Sequence, residues 1–288
     1  MSPHPVRRLG TLVEPLAAAV YFAPEAHAAY AALGDCGDFW APYYASRGAC
    51  LGETPGLVVA AAFGVFNPDH IAEQLETAWK VAAPAQWWTA RVQGATAQLE
   101  RLLGEEPEGA ARATELLRRI AAGSRVSGHP FFAGLASQAW PGTTVGDLWH
   151  AADLVREHRG DTHTAAYNAA GLSAVDIMIM TELWWGLPHG LYLATRHWDQ
   201  QSIAESLASL RDRGFVEGDP LALTAAGVTA RVAVEDATDI GEAAVLETLT
   251  EAERDELFAI LRPMAATIVA GGGYPSDPND RELPGVDG

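Results

Sequence analysis

Apolar residues recur at helical spacing through most of the first 125 positions. Val6, Leu9, Val13, Leu16 and Val20 form one stripe and predict an opening helix. Arg7-Arg8 ahead of residues 16–23 has the outline of a secretory leader, but Glu14 and Pro15 interrupt its apolar core, so the helix is assigned to the mature protein. Residues 57–66 are a near-continuous apolar run, read as a buried helix. Asn67-Pro68-Asp69 then supplies an N-cap, a proline for the first turn and an acid beside the helix dipole. Pro84 opens a further helix carrying Trp88, Val92, Leu99 and Leu103, and residues 109–122 give another with Leu116, Leu117 and Ile120. Residues 127–144 are rich in Gly and Pro, yet Phe131, Phe132, Leu135 and Trp140 mark a packed connection instead of a free linker.

Beyond residue 172 the pattern changes. Helices are predicted over 176–183, 190–196 and 199–213. Two short strands follow, 214–216 and 221–224, around Gly218-Asp219-Pro220, and a helix resumes at Ala225. Helix, turn, helix and then a small hairpin is the order of a winged helix-turn-helix. A long helix is expected over 250–270. The Gly-, Pro- and acid-rich end, 271–288, predicts a disordered tail.

Composition narrows the functions available. With 49% apolar and 19% charged residues the chain can fill a core, which excludes a disordered protein. Thirty-seven acids against nineteen Lys+Arg give a net charge of −18, weighing against nucleic acid, whose phosphates need clustered cations. Residues 197–213 carry Asp199, Glu205 and Asp212 against Arg211 and Arg213, and the hairpin adds Glu217 and Asp219, so DNA is not an expected partner. No apolar run approaches the roughly 20 residues of a membrane span. Cys36 and Cys50 match no zinc or redox spacing and are read as free thiols in a cytoplasmic protein.

One stretch, 148–171, carries candidate chemistry. Val145, Leu148, Ala152 and Val155 define an apolar face, with His150, Asp153 and Glu157 on the opposite, polar face. Gly160 is expected to end this helix and Asp161 to cap a second one, stopped by Gly171. As caps and dipole partners these residues need no catalytic role. Yet Glu157 in a last turn should be pushed toward protonation, and His163 in a first turn toward neutrality. An acid and a base so biased are what general acid–base catalysis uses. His163 is therefore the candidate base, Glu157 or Asp161 its acid or orienting partner, and Arg159 an anchor, with His158 beside them. His158 and His163 stand five apart across the expected break, and His150 eight before His158. No trusted metal spacing results, so neither metal nor cofactor is expected. His27, Tyr30, Trp40, Tyr43, Tyr44 and Arg47 are candidates for a substrate-pocket wall, with His150 added from the polar face.

The segment from Ser202 through Gly227 resembles the winged-helix module of MarR-type regulators. Residues 21–34, 39–52 and 148–172, with that module, resemble an actinobacterial family labelled helix-turn-helix or MarR-like. Its most specific motif is Glu-His-Arg-Gly-Asp-x-His, which here is Glu157, His158, Arg159, Gly160, Asp161 and His163. The resemblance covers nearly the whole chain and implies that these residues are family features, but it supplies no reaction. Where members are expected to read Phe-Tyr-Asn-Phe-x-Pro, this chain has Phe63-Gly64-Val65-Phe66-Asn67-Pro68.

The sequence thus predicts a mostly α-helical protein. A helical lobe would span 1–126, a connecting segment 127–171, and a winged-helix lobe 172–270, with a homodimer expected through the C-terminal helix. The expected activity is acid–base chemistry, of isomerase, cyclase, lyase or hydrolase type, on a small and largely apolar molecule of secondary metabolism held between the lobes. The alternative is a ligand-responsive MarR-like regulator.

Overall fold

A computed structural model describes residues 4–275; of the tail expected over 271–288, residues 271–275 form a turn in which the Gly273 carbonyl accepts from Gln98, and 276–288 lie outside the described residues. Thirteen α-helices, four short 3-10 helices and one two-stranded sheet make up the regular structure of the described residues. The opening helix α1 (Pro5–Ala18) buries Val6, Leu9, Val13 and Leu16, the expected stripe, and tolerates Pro15. α2 (Pro24–Ala31), α3 (Trp40–Gly48) and α4 (Gly56–Phe63) follow. α5 (Pro68–Val81) starts under an Asn67 side chain that accepts from the Asp69 and His70 amides. α6 (Pro84–Leu103), α7 (Ala110–Gly123) and the short α8 (Pro130–Ala136) complete the first half. α8 buries Phe131, Phe132 and Leu135, so the Gly/Pro-rich connection is ordered.

α9 (Thr144–Ala169) departs from the sequence reading. It is one uninterrupted helix of 26 residues, and neither a break at Gly160 nor a new N-cap at Asp161 is present. A mid-helix glycine costs roughly 1 kcal/mol against alanine, and burial of its neighbours Glu157, His158, Asp161 and Thr162 outweighs that local preference. Nor is the polar face of α9 solvated over its first four turns, although Gly160, Ala165, Asn168 and Ala169 near its end are exposed. His150, Asp153 and Glu157 are all buried, because α1, α6, α7, α8 and α12 pack against the helix.

α10 (Ala174–Trp184), a 3-10 turn at Leu193–Arg196 and α11 (Gln200–Asp212) precede β1 (Val216–Glu217) and β2 (Ala222–Leu223). The strands are antiparallel, with Val216 opposite Leu223 and Glu217 opposite Ala222. α12 (Ala225–Glu242) and α13 (Glu251–Ala270) end the described chain, each under a threonine cap.

Two apolar cores result. The smaller joins residues of 167–234, and the larger joins 6–155 with 245–268. α13 therefore belongs with the first half. It buries Leu257, Phe258, Leu261 and Ile268 against α1, α6 and α7, so the apolar face expected to meet a second subunit is covered within the chain.

Candidate functional site

A cavity of about 500 Å³ opens inside the larger core, at the end where the chain turns from α2 into α3. Its walls are Tyr21, His27, Tyr30, Phe39 and Tyr43, and the 34–38 loop brings Asp35, Cys36 and Asp38 to its rim. The loop is held by its own carboxylates: Asp35 accepts from the Gly37 amide at 2.8 Å and Asp38 from the Trp40 amide at 2.9 Å. Tyr21 and Tyr43 meet edge to face with ring centroids 5.1 Å apart. Such walls suit a planar, largely apolar molecule, with tyrosine hydroxyls fixing its orientation.

Behind these rings lies a buried layer of charge. Arg91 donates to the Tyr21 hydroxyl at 3.2 Å and to Asp153 at 3.1 Å, and both members of that ion pair are buried. Arg47 donates to the Tyr43 hydroxyl at 3.4 Å and, through Nη2, to both oxygens of Glu157 at 3.1 and 3.0 Å. Burial alone would raise the Glu157 carboxyl, but the guanidiniums of Arg47 and Arg156 outweigh it and hold the group below its ordinary value. Glu157 lies in mid-helix, not in a last turn, and it is an ionised partner of two arginines. The expected bias toward protonation is corrected accordingly.

His158, Arg159 and His163 of the motif point the other way, toward α12. Arg159 donates to Asp239 at 2.9 Å and to Glu235 at 3.2 Å, and Arg7 of α1 reaches the same Asp239. His163 Nδ1 lies 3.1 Å from the Thr238 hydroxyl, and burial lowers its pKa to about 4. Its neutrality therefore comes from burial and not from a first helical turn, since none exists there. His158 Nδ1 lies 2.8 Å from Glu242, and its ring stacks on His129. Residues 158, 159, 162 and 163 thus face 235, 238, 239 and 242, two helical stripes at matching spacing.

Asp161 does cap a helix, but not its own. It accepts from the Phe131 and Phe132 amides at 3.1 and 3.0 Å, closing the first turn of α8. Burial pushes its carboxyl up to about 7 despite those two bonds. The folded protein therefore binds this proton more tightly than the unfolded chain, whose carboxyl titrates near 4. Stability attributable to Asp161 is greatest at acid pH and is lost as the pH rises through about 7. Asp161→Asn keeps an acceptor for both amides without the charge. It should flatten that dependence and leave neutral-pH stability within about 1 kcal/mol. Asp161→Ala strands two buried donors and should cost about 1–3 kcal/mol in urea titrations.

The structure brings His27, Tyr30 and Tyr43 together around the cavity and places the other expected pocket residues elsewhere. Tyr44 is buried among Phe63, Phe66 and His70, and Trp40 packs on His197 at 4.3 Å. Arg47 stands behind the wall. His150 sits among Trp88, Trp140 and Trp149, where burial lowers its pKa to about 4. The 157–163 motif does not line the cavity, and α9–α12 ion pairs run where a site between the lobes was expected. Gly64, at φ 77°, forms a turn whose missing side chain would meet Thr164 and Tyr167, so it does not enlarge the cavity. Sequence reasoning passed over Tyr21 and Arg91. No local signal marks Arg91, which lies on a helix of ordinary composition.

The chain-wide comparison decides the lineage: the model of a helix-turn-helix family matches residues 6–275. The chain belongs to that helix-turn-helix family. No curated protein and no solved structure matches it. In chain order, α10, the 3-10 turn and α11 are followed by the β1–β2 hairpin. Among the described residues no helix is long and apolar enough to cross a membrane.

Proposed function

We propose that this helix-turn-helix protein is a small-molecule-responsive protein, in preference to the acid–base enzyme that residues 157–163 first suggest. The carrying observation is one continuous chain of contacts. It runs from the cavity through Tyr43 and Arg47 to Glu157 on α9, and from the next turns of α9 through Arg159, Thr162 and His163 to α12. A ligand that displaces Tyr43 acts on Arg47, and through it on the helix that carries the helix-turn-helix lobe. The enzyme reading needs a protonated carboxyl beside a free imidazole facing substrate. Glu157 is instead ionised and paired, and His163 is turned to Thr238. The MarR-like winged helix is the finer reading of the α10–α12 region.

The expected ligand is planar, largely apolar and small enough for about 500 Å³. Thermal-shift and native mass-spectrometric screening of aromatic compounds should find binders that stabilise the native chain. Tyr43→Ala should weaken them at least tenfold, because a buried aromatic contact is worth more than about 1.4 kcal/mol. Turnover of any bound compound, lost in His163→Asn, would restore the enzyme reading. Direct DNA recognition is expected to be weak. The exposed positions of α11 include Gln201, Ala204, Glu205, Ala208, Arg211 and Asp212, one arginine against two acids, and Arg213 is engaged with the Gly171 carbonyl and the Phe215 ring. Fluorescence anisotropy against the gene's own upstream region should give no specific Kd below about 1 µM at physiological salt. Nanomolar, sequence-dependent binding would make DNA the output partner.

A further inference from the structure

His129, His158 and Glu242 gather at the junction of three elements that are far apart in sequence: the start of α8, the middle of α9 and the end of α12. Their donor atoms all lie within 4.8 Å of one another. His158 and Glu242 are buried, and His129 is half-buried. Spacing arguments about His150, His158 and His163 could not reveal this set, since its members are contributed one per element.

The cluster has more lone pairs than protons. The Nδ1–H of His129 must donate to the Ser127 carbonyl, 3.0 Å away, because a carbonyl can only accept. In the neutral ring Nε2 is then an acceptor, 3.0 Å from the Thr162 hydroxyl. That single hydroxyl proton is also sought by the His158 carbonyl at 3.1 Å and, across a very short contact, by Glu242. One proton cannot serve three acceptors. Glu242 has no arginine or lysine partner among the described residues, and a buried carboxylate without a cation costs several kcal/mol. His158 does not supply the missing proton in a usable geometry. Its Nδ1 stands 2.8 Å from Glu242 Oε1, yet neither ring nitrogen makes a hydrogen bond. Two donor atoms close together but not aimed at each other is the arrangement of ligands that share a cation.

We propose that His129, His158 and Glu242 bind one divalent transition-metal ion, with zinc the best match to a two-imidazole, one-carboxylate set. Donors on a tetrahedral zinc stand roughly 3.3 Å apart, so the widest pair must close by roughly 1.5 Å. His129, the half-buried member, can supply this by tilting out of its parallel stack on His158, centroids 4.0 Å apart, since one ion cannot lie in two parallel ring planes. The carbonyl on its Nδ1 already leaves Nε2 as the ligand atom, a usual outer partner of a metal-bound histidine. Thr162 or water completes the coordination. The ion would bolt α8 and α9 of the bundle to the last turn of α12, whatever occupies the aromatic cavity.

The test uses the untagged full chain purified without chelators. Elemental analysis should find about one equivalent of divalent metal. After chelation, ZnCl2 at a hundredfold excess over its Kd should raise Tm by roughly 5 °C, and CoCl2 should give visible d–d absorption. His129→Gln, chosen because the position is half-buried and should stay folded, should lose at least tenfold in zinc affinity, as should Glu242→Gln. His163→Asn, outside the cluster, should bind zinc like the native chain. Metal well below one equivalent with no response to ZnCl2 or CoCl2 would overturn the proposal. Undiminished binding by folded His129→Gln and Glu242→Gln would overturn it equally, placing the ion elsewhere. A missing ligand for the cavity would leave these readouts unaffected, so the two readings fail separately.

Discussion

Arg91→Met alone should destabilise the protein by about 3–5 kcal/mol, and Asp153→Leu alone by a similar amount. The pair is 1% and 0% exposed, so removing either partner leaves an unpaired charge with no route to water. Burial raises the Asp153 carboxyl even with Arg91 beside it, and Arg91 Nε and Nη1 and Asp153 Oδ1 have no hydrogen-bond partner. Such a pair adds little net stability although each half depends on the other. The double variant Arg91→Met/Asp153→Leu should therefore recover most of the loss, and urea titrations of the four proteins give the coupling directly. The Arg91 variant should also weaken cavity ligands, since it removes the donor behind Tyr21. Single variants within 1 kcal/mol of the native chain would show that the site is wetter than its burial indicates.

Gly94→Val should also be strongly destabilising. A Cβ on Gly94 would stand 2.2 Å from the Ala26 Cα and 2.4 Å from its Cβ, so α6 and α2 touch backbone to backbone there. Any side chain drives the helices apart, and overpacking of this kind costs about 1–3 kcal/mol or more. His27 and Tyr30 flank Ala26 on the helix that would move, so the cavity should open with it. Gly94→Ala should fall part of the way. Ala26→Gly combined with Gly94→Ala should regain some of that loss, which thermal melts of the two variants would show. A Gly94→Val protein with native Tm and ligand affinity would contradict the close approach.

Local chemistry made most of the fold legible. The Val6-to-Val20 stripe, the Asn67-Pro68 start and the Pro84 start all specify their own elements, and the structure has helices there. The errors concentrate where distant packing overrides local rules. Gly160 reads as a helix stop until α1, α8 and α12 are packed against the residues on either side of it. The polar face of α9 reads as solvated until Arg47 and Arg91 arrive from other helices to pair with its carboxylates. The candidate site was legible only in its aromatic part, because tyrosines crowd into residues 21–44. Ion pairs spanning 62 to 110 residues leave no periodic trace in the sequence.

The return of α13 to the bundle gives the molecule an unusual connectivity. The chain leaves the larger core at the end of α9 and re-enters it after α12, so the smaller core is an insertion with two tethers. A single protease cut in the 185–192 turn would therefore release no fragment from the native protein, and both halves would co-elute until denaturant was added. Truncation at residue 171 would fail for the same reason, since it removes α13 and bares the faces of α1 and α7 that α13 covers. Excising 172–242 and joining α9 directly to α13 is the cut that respects the architecture. It would yield a bundle that keeps the aromatic cavity and can be assayed without the insertion.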